Sequence, residues 1–124
     1  MNLVSEWEMP RDWMLKLEDD CETDCPVART AEIISGKWTT LIVRDLLSGT
    51  KRYSQLQRSL AGISPRMLAE RLNMLVDQGL VDKTIFPTVP PKTEYTLTAR
   101  GWALEPVIAA MAAFGEEQIR RESA

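Results

Sequence analysis

The chain has 124 residues, of which 44% are hydrophobic and 27% charged, and its formal net charge at pH 7 is −3. This length suits a single domain with a modest core, and no apolar run is long enough to cross a bilayer. The acidic N-terminus lacks the continuous apolar segment of a signal peptide, so we expect a globular, cytoplasmic protein that does not associate with a membrane.

The charges are divided unevenly along the chain. Residues 1–28 hold two basic and eight acidic residues, residues 29–100 hold eleven basic and six acidic, and residues 101–124 hold two basic and four acidic. A basic middle between acidic ends is typical of a nucleic-acid-binding core with separate dimerisation ends. Ordinary variation in surface charge is the alternative interpretation.

The two cysteines, Cys21 and Cys25, and the absence of histidine restrict the available chemistry. A histidine-containing zinc site and a four-cysteine site within one chain are both excluded, and a stable disulfide is not expected in a reducing cytosol. The sequence has no glycine-rich phosphate loop and no convincing pair of carboxylates for acid–base catalysis. We therefore expect neither an enzyme nor a bound metal or cofactor.

Helical signals dominate the first part of the chain. Residues 1–24 are an acidic extension with one short predicted helix, 10–18, which begins at a proline. A second helix is predicted over 26–35, also opened by a proline and followed by a glycine. Residues 37–48 predict an amphipathic helix, whose apolar face is formed by Trp38, Leu41, Ile42 and Leu46.

The next residues predict a helix-turn-helix. A short strand is expected over 51–53, and Ser54 can cap a helix that carries Leu56 and Leu60. Gly62 then makes the turn into a second helix. Two short helices joined by a tight glycine turn are what a helix-turn-helix requires.

The helix after this turn has the clearest signals in the sequence. Ser64 is a good N-cap, Pro65 suits the first helical position, and Gly79 can adopt the left-handed conformation that ends a helix. One face is apolar and should lie against a core, with Leu68, Leu72, Leu75 and Val76. The opposite face can reach a base edge or a phosphate, with Arg66, Ala69, Glu70 and Asn73.

Two strands are predicted over 80–86 and 93–97, because both runs are rich in β-branched and aromatic residues. The connection 87–92 (PTVPPK) contains three prolines, which fit a hairpin tip since proline donates no ladder hydrogen bond. Lys83 on the first strand and Lys92 at the tip can approach DNA phosphates. The hairpin is therefore interpreted as an extended wing.

The C-terminal part is predicted to be helical. Thr98 caps a long helix that begins at Ala99 and is kinked or restarted at Pro106. All eight residues of 107–114 are apolar, and a single face cannot bury them all. Burial within the chain's own core is one interpretation. The other, which we favour, is packing against a second copy of the chain through Val107, Ile108, Met111 and Phe114.

The predicted fold class is α+β and mainly helical, a winged helix-turn-helix with additional N- and C-terminal helices that form a dimer interface. The chain resembles the HxlR family of bacterial transcriptional regulators over about residues 25–115. The motifs that carry the resemblance are specific in combination: Cys-Pro at 25–26, GKW at 36–38, GIS at 62–64 and VPP with EY at 89–95. We expect an extension (1–24), a DNA-binding domain (25–98) and a dimerisation helix (99–124).

The resemblance implies a homodimer that binds pseudo-palindromic operator DNA as a repressor or activator. Family members commonly respond to electrophiles or oxidants through the cysteine before the first helix, which is Cys25 here. A buried packing role for Cys25 is the alternative, since Glu22 and Asp24 oppose the thiolate that a helix start favours. A winged helix used only for protein association, and a ligand-responsive regulator without redox sensing, also stay open.

The residues expected to contact double-stranded DNA fall into two groups. Those in the second helix of the predicted helix-turn-helix are expected to contact base edges: Ser64, Pro65, Arg66, Glu70 and Asn73. Arg66 is the foremost of them, because a guanidinium can donate two hydrogen bonds to guanine. A second, basic group is expected to contact phosphates without reading sequence, although each lysine could equally be a solvated surface residue: Lys37, Lys51, Arg52, Arg71, Lys83 and Lys92.

Overall fold

The computed structural model describes residues 25–123, and the chain divides into two compact units, 1–36 and 37–124. In the first unit the described residues form helix α1 (Pro26–Ile33). Cys25 is the N-cap of α1, and its Sγ accepts a hydrogen bond from the Ala28 N–H at 3.4 Å. The helix expected at 10–18 lies outside the described residues.

The second unit contains the elements of a winged helix-turn-helix in the predicted order. They are α2 (Lys37–Leu46), β1 (Lys51–Arg52), α3 (Tyr53–Ser59), α4 (Pro65–Asp77), β2 (Val81–Phe86), β3 (Lys92–Leu97), α5 (Ala99–Trp102) and α6 (Glu105–Ser123). The α+β, mainly helical fold class predicted from the sequence is confirmed.

Helix α2 lies in the core of this unit, where it contacts α4, α6 and β3. The sequence predicted Trp38 and Leu41 on its apolar face, but both side chains are only half-buried. The observed buried face is rotated by part of a turn relative to the predicted one. Three other elements cover α2, and the periodicity of a single helix does not show where those elements lie. Its buried residues are Thr39, Ile42, Val43 and Leu46.

The boundaries and the buried face of α4 agree with the local sequence signals. Ser64 is the N-cap and its Oγ accepts the Met67 N–H at 3.0 Å. Gly79 follows the C-terminus with a φ of +76°, in the left-handed region that favours glycine. The predicted apolar face contains one half-buried residue, Val76, and three fully buried ones, Leu68, Leu72 and Leu75.

The start of α3 differs from the prediction. Tyr53 is the first helical residue and Arg52 is the N-cap, so β1 also ends one residue early. The Gln55 side chain accepts the Arg52 N–H at 2.8 Å, and this bond fixes the start of the helix at Arg52. Ser54 is exposed within the first turn, so its prediction as the N-cap is wrong.

The three strands form an antiparallel sheet in the order β1-β3-β2. Strands β2 and β3 pair from Val81 opposite Leu97 at the base to Phe86 opposite Lys92 at the tip, which confirms the predicted hairpin. Residues 87–91, with three prolines, connect the strands. The base of the hairpin contributes to the core, with Val81, Tyr95 and Leu97.

The helical segment after the wing is interrupted, as predicted. Helix α5 ends at Trp102, and α6 restarts at Glu105, one residue before Pro106. Ile108, in the first turn of α6, is buried within this unit. Its side chain therefore contributes to the core and leaves little surface for contact with a second copy.

Residues 98–101 are bonded to residues 78–80, which follow α4. The Thr98 hydroxyl donates to the Gly79 carbonyl at 2.7 Å, and the Thr98 N–H donates to the Leu80 carbonyl at 3.0 Å. The Arg100 guanidinium donates to the Gln78 carbonyl at 2.8 Å. These three bonds hold the C-terminal end of α4 against the start of α5.

Candidate nucleic-acid interface

The N-terminus of α4 is held by two side chains of α3. The Tyr53 hydroxyl donates to the Pro65 carbonyl at 3.0 Å, and the Gln57 Nε2 donates to the Ile63 carbonyl at 2.9 Å. The two bonds lie on either side of the N-cap Ser64, and we call them the α3 bracket. The sequence analysis missed both residues; the available signal was a tyrosine and a glutamine one helical turn apart before a glycine turn.

The solvent face of α4 presents a cation, an anion and an amide. The Arg66 Nε lies 3.2 Å from the Glu70 Oε2, and the two side chains are 89% and 57% exposed. Asn73 is exposed on the next turn of the same face. The structure therefore brings together three of the predicted base-contacting residues on one accessible surface.

The other two predicted base contacts, Ser64 and Pro65, are exposed at the start of this face. The Ser64 oxygen already accepts the Met67 N–H, and its proton is left for an acceptor on DNA. Pro65 has no N–H and offers only an apolar surface, which suits a thymine methyl group. Both residues are thus better suited to supporting contacts than to primary readout.

Two of the predicted phosphate contacts lie on one cleft at the wing. Arg52 and Lys92 line an open cleft of about 560 Å³ between residues 52–54 and residues 88–93. The Lys92 Nζ is 3.6 Å from the Glu94 carboxylate and 4.8 Å from the centre of the Phe86 ring. Part of the Lys92 charge is therefore already balanced, whereas Arg52 is exposed.

Two further lysines are engaged by neighbours. The Lys51 ammonium donates to the Ser48 hydroxyl at 2.9 Å, and the Lys37 ammonium lies 4.6 Å from the centre of the Trp38 ring. Each partner lies within three residues of its lysine in the chain. Each lysine would have to exchange or extend this contact to bind a phosphate.

The remaining two predicted phosphate contacts lie away from the wing cleft that Arg52 and Lys92 line. Lys83 is exposed but pairs in register with Tyr95, so it projects from the wing face opposite to that of Lys92. Arg71 is half-buried, and its Nε is buried with no hydrogen-bond partner among residues 25–123. The six predicted phosphate contacts are therefore distributed over several surfaces.

Helix α6 leaves large apolar side chains in contact with solvent. Met111 is 46% exposed, Phe114 68% and Ile119 65%, while Val107 is half-buried. The sequence analysis missed Ile119 because the continuous apolar run ends at residue 114; its signal was the two-turn spacing from Met111. Among the described residues no helix is long and apolar enough to cross a membrane.

The predicted sensor residue, Cys25, is 6% exposed, and its sulfur accepts the Ala28 N–H described above. Within residues 25–123 no group of histidine, cysteine, aspartate and glutamate side chains is arranged to hold a metal ion. Cys21 lies outside the described residues.

Comparisons with known proteins agree with this arrangement. Residues 33–123 match the HxlR-like helix-turn-helix family. The matched region contains α2 through α6, and Cys25 lies before it. The HTH-type transcriptional regulator YdeP of Bacillus subtilis (strain 168) is 40% identical over 80% of this chain and 77% of its own length.

Solved structures are similar as well. A transcriptional regulator from Porphyromonas gingivalis W83, assigned to the MarR family, is 41% identical with a TM-score of 0.75, over 77% of this chain and 94% of that chain. The oxidised form of the redox regulator HypR is 38% identical with a TM-score of 0.71, over 75% and 96% of the two chains. The relatives are regulators, so the expectation that this chain is not an enzyme is confirmed. The chain belongs to the HxlR-like helix-turn-helix family and is a helix-turn-helix transcriptional regulator.

Proposed function

We propose that the protein is a homodimer that binds a pseudo-palindromic operator sequence-specifically, with α4 of each copy in the major groove. One observation carries this proposal: the polar face of α4 is exposed while both ends of the helix are fixed. The α3 bracket holds its start, and the bonds from residues 98–101 hold its end. A rigid helix with exposed hydrogen-bonding side chains suits direct readout of base edges.

The roles of the other segments follow from this placement. Residues 25–98 are the DNA-binding domain, with Arg52 and Lys92 as backbone contacts on the wing side. Residues 99–124 are the dimerisation segment, because Met111, Phe114 and Ile119 are exposed on α6. Ile108 offers little surface to this interface, since its side chain is only 9% exposed.

The test begins with DNA fragments selected from the genome by the purified protein. Fluorescence anisotropy then compares a selected fragment with a scrambled one at several salt concentrations. We expect binding to the selected fragment to be at least about 10³-fold tighter. Equal affinity for both fragments contradicts sequence-specific binding and favours a winged helix used for protein association.

Two substitutions separate readout from backbone contact. Arg66→Ala should weaken binding to the selected fragment and relax the base preference at one position in each half-site. Lys92→Ala should weaken binding to all sequences and reduce the slope of log affinity against log salt by about 1. A base preference unchanged by Arg66→Ala contradicts the role of Arg66 in base readout.

A second function, redox or electrophile sensing through Cys25, is favoured by the similarity to HypR, which is described as a redox regulator. With hydrogen peroxide, the Cys25 sulfur would take one oxygen atom to give a sulfenic acid while the O–O bond breaks and water leaves.

Operator binding is measured before and after peroxide or quinone treatment of the wild type, Cys25→Ser and the control Cys21→Ser. Loss of binding in all three proteins, or in none, contradicts sensing by Cys25; a regulator that responds to another ligand is then favoured.

A further inference from the structure

The pair formed by Arg66 and Glu70 is exposed on the polar face of α4. The two residues are one helical turn apart, and the Arg66 Nε lies 3.2 Å from the Glu70 Oε2. An exposed pair of this type contributes little to the stability of a helix. Helix stability is therefore a weak reason for a carboxylate at this position.

A carboxylate on a surface that faces DNA is unfavourable in itself, because the backbone phosphates repel it. Glu70 lies on the same face as Arg66 and Asn73, and its side chain is 57% exposed. If α4 enters the major groove, this charge weakens every complex in which it is not compensated. Such a penalty raises specificity when the correct sequence avoids it and other sequences do not.

The geometry of the pair indicates how the penalty is avoided. The carboxylate bonds the Nε side of the guanidinium, and no other residue within 25–123 bonds the two Nη groups. These Nη groups can donate together to O6 and N7 of one guanine. When the carboxylate bonds one edge of the guanidinium and guanine bonds the other, the charges of Arg66 and Glu70 balance each other and both Nη groups have an acceptor.

We infer that Glu70 is a specificity-determining residue that acts through Arg66: it orients the guanidinium towards a guanine and penalises complexes in which Arg66 turns to a phosphate instead. The inference rests on the proposed function, since it requires α4 to read DNA. Glu70 is thus a positioning residue, and the operator half-site should contain a guanine that depends on both side chains.

The first experiment measures affinity for the selected fragment, for the same fragment with each base changed in turn, and for scrambled DNA. Glu70→Ala should reduce the preference for the guanine about tenfold and should raise the affinity for scrambled DNA. Glu70→Gln keeps the size and an acceptor for the Nε, so it should lose less of the preference. Asp77→Asn is the matched control, because Asp77 is exposed in the last turn of α4 and its loss removes the same charge.

A double-mutant cycle then tests whether Glu70 acts through Arg66. In an Arg66→Gln background, Glu70→Ala should leave the base preference unchanged, because there is no guanidinium to orient. An equal loss of preference in both backgrounds overturns the inference. A proportional loss of affinity for specific and scrambled DNA also overturns it, since this outcome indicates a structural role.

The failure of the inference and the failure of the proposed function give different results. A wild-type protein without any sequence preference refutes both. A wild-type protein with a preference that Glu70→Ala leaves intact refutes only the role of Glu70. Circular dichroism of each variant checks that the helical content is retained.

Discussion

Gly101 occupies a position where the backbone leaves no room for a side chain. A Cβ at this residue would overlap the Leu80 carbonyl oxygen and would lie 2.9 Å from the Leu97 Cδ2. We expect Gly101→Ala to lower the free energy of unfolding by about 2 kcal/mol, since well-packed surroundings must move. Urea unfolding provides the measurement, with Ala103→Ser, which adds one atom at an exposed site, as the control. Equal stability of the two variants contradicts the close contact.

Tyr95 should make stability sensitive to alkaline pH. Burial, with a smaller contribution from Tyr53, raises the pKa of the Tyr95 hydroxyl above its ordinary value of 10.0. The folded protein therefore keeps a proton that the unfolded chain has lost, so stability is full below the unfolded pKa and falls as the pH rises through the folded one. Tyr95→Phe should remove part of this fall in urea unfolding as the pH is raised above 10.0. If the stabilities of the wild type and the variant change in parallel with pH, this explanation is contradicted.

The α3 bracket should set the position of α4. Tyr53→Phe removes the bond to the Pro65 carbonyl and keeps the ring, so we expect a loss of about 1 kcal/mol in stability. Affinity for the selected operator should fall more than affinity for scrambled DNA, because only base readout needs the exact position of α4. Arg58→Lys, which keeps the charge at an exposed residue of the same helix outside the cleft, is the control. A uniform loss across both DNAs argues that the bracket serves folding alone.

The elements also show how far the sequence predicts the structure. The start and end of α4 depend on side chains and backbone angles within a few residues, at Ser64 and Gly79, and both were predictable. The buried face of α2 and the start of α3 depend on contacts with other elements or on a competing cap at Gln55. The α3 bracket joins residues of two helices, so no pattern within one helix could reveal it.

The candidate site also contains features that local sequence predicts and features that depend on contacts between elements. The polar face of α4 follows from helical spacing, and the exposure of Arg66, Glu70 and Asn73 agrees with it. The basic residues could be named as candidates, but their grouping depends on strand register and on neighbours such as Glu94. The burial of Ile108 likewise depends on where α6 meets the core.

The exposed apolar residues of α6 should control the assembly of the dimer. Phe114→Glu places a charge among Met111, Phe114 and Ile119, so we expect the dimer to dissociate and operator affinity to fall about 100-fold as the two half-sites are no longer bound together. Light scattering after size-exclusion chromatography measures the mass. Ala113→Glu, at an exposed position about 100° or more around the helix from each of these three residues, is the matched control. A wild-type protein that is monomeric at micromolar concentration contradicts the dimer.

The bonds between residues 98–101 and residues 78–80 join the end of α4 to the C-terminal helices. In the proposed dimer, the reading helix and the dimerisation segment then move as one body. DNA presents successive major grooves on one side at a repeat of about 34 Å. The dimer should therefore bind only half-sites at a fixed spacing. Half a turn of DNA inserted between the half-sites would turn the second half-site to the opposite side of the DNA, where the second copy cannot bind it, whatever the sequence of that half-site.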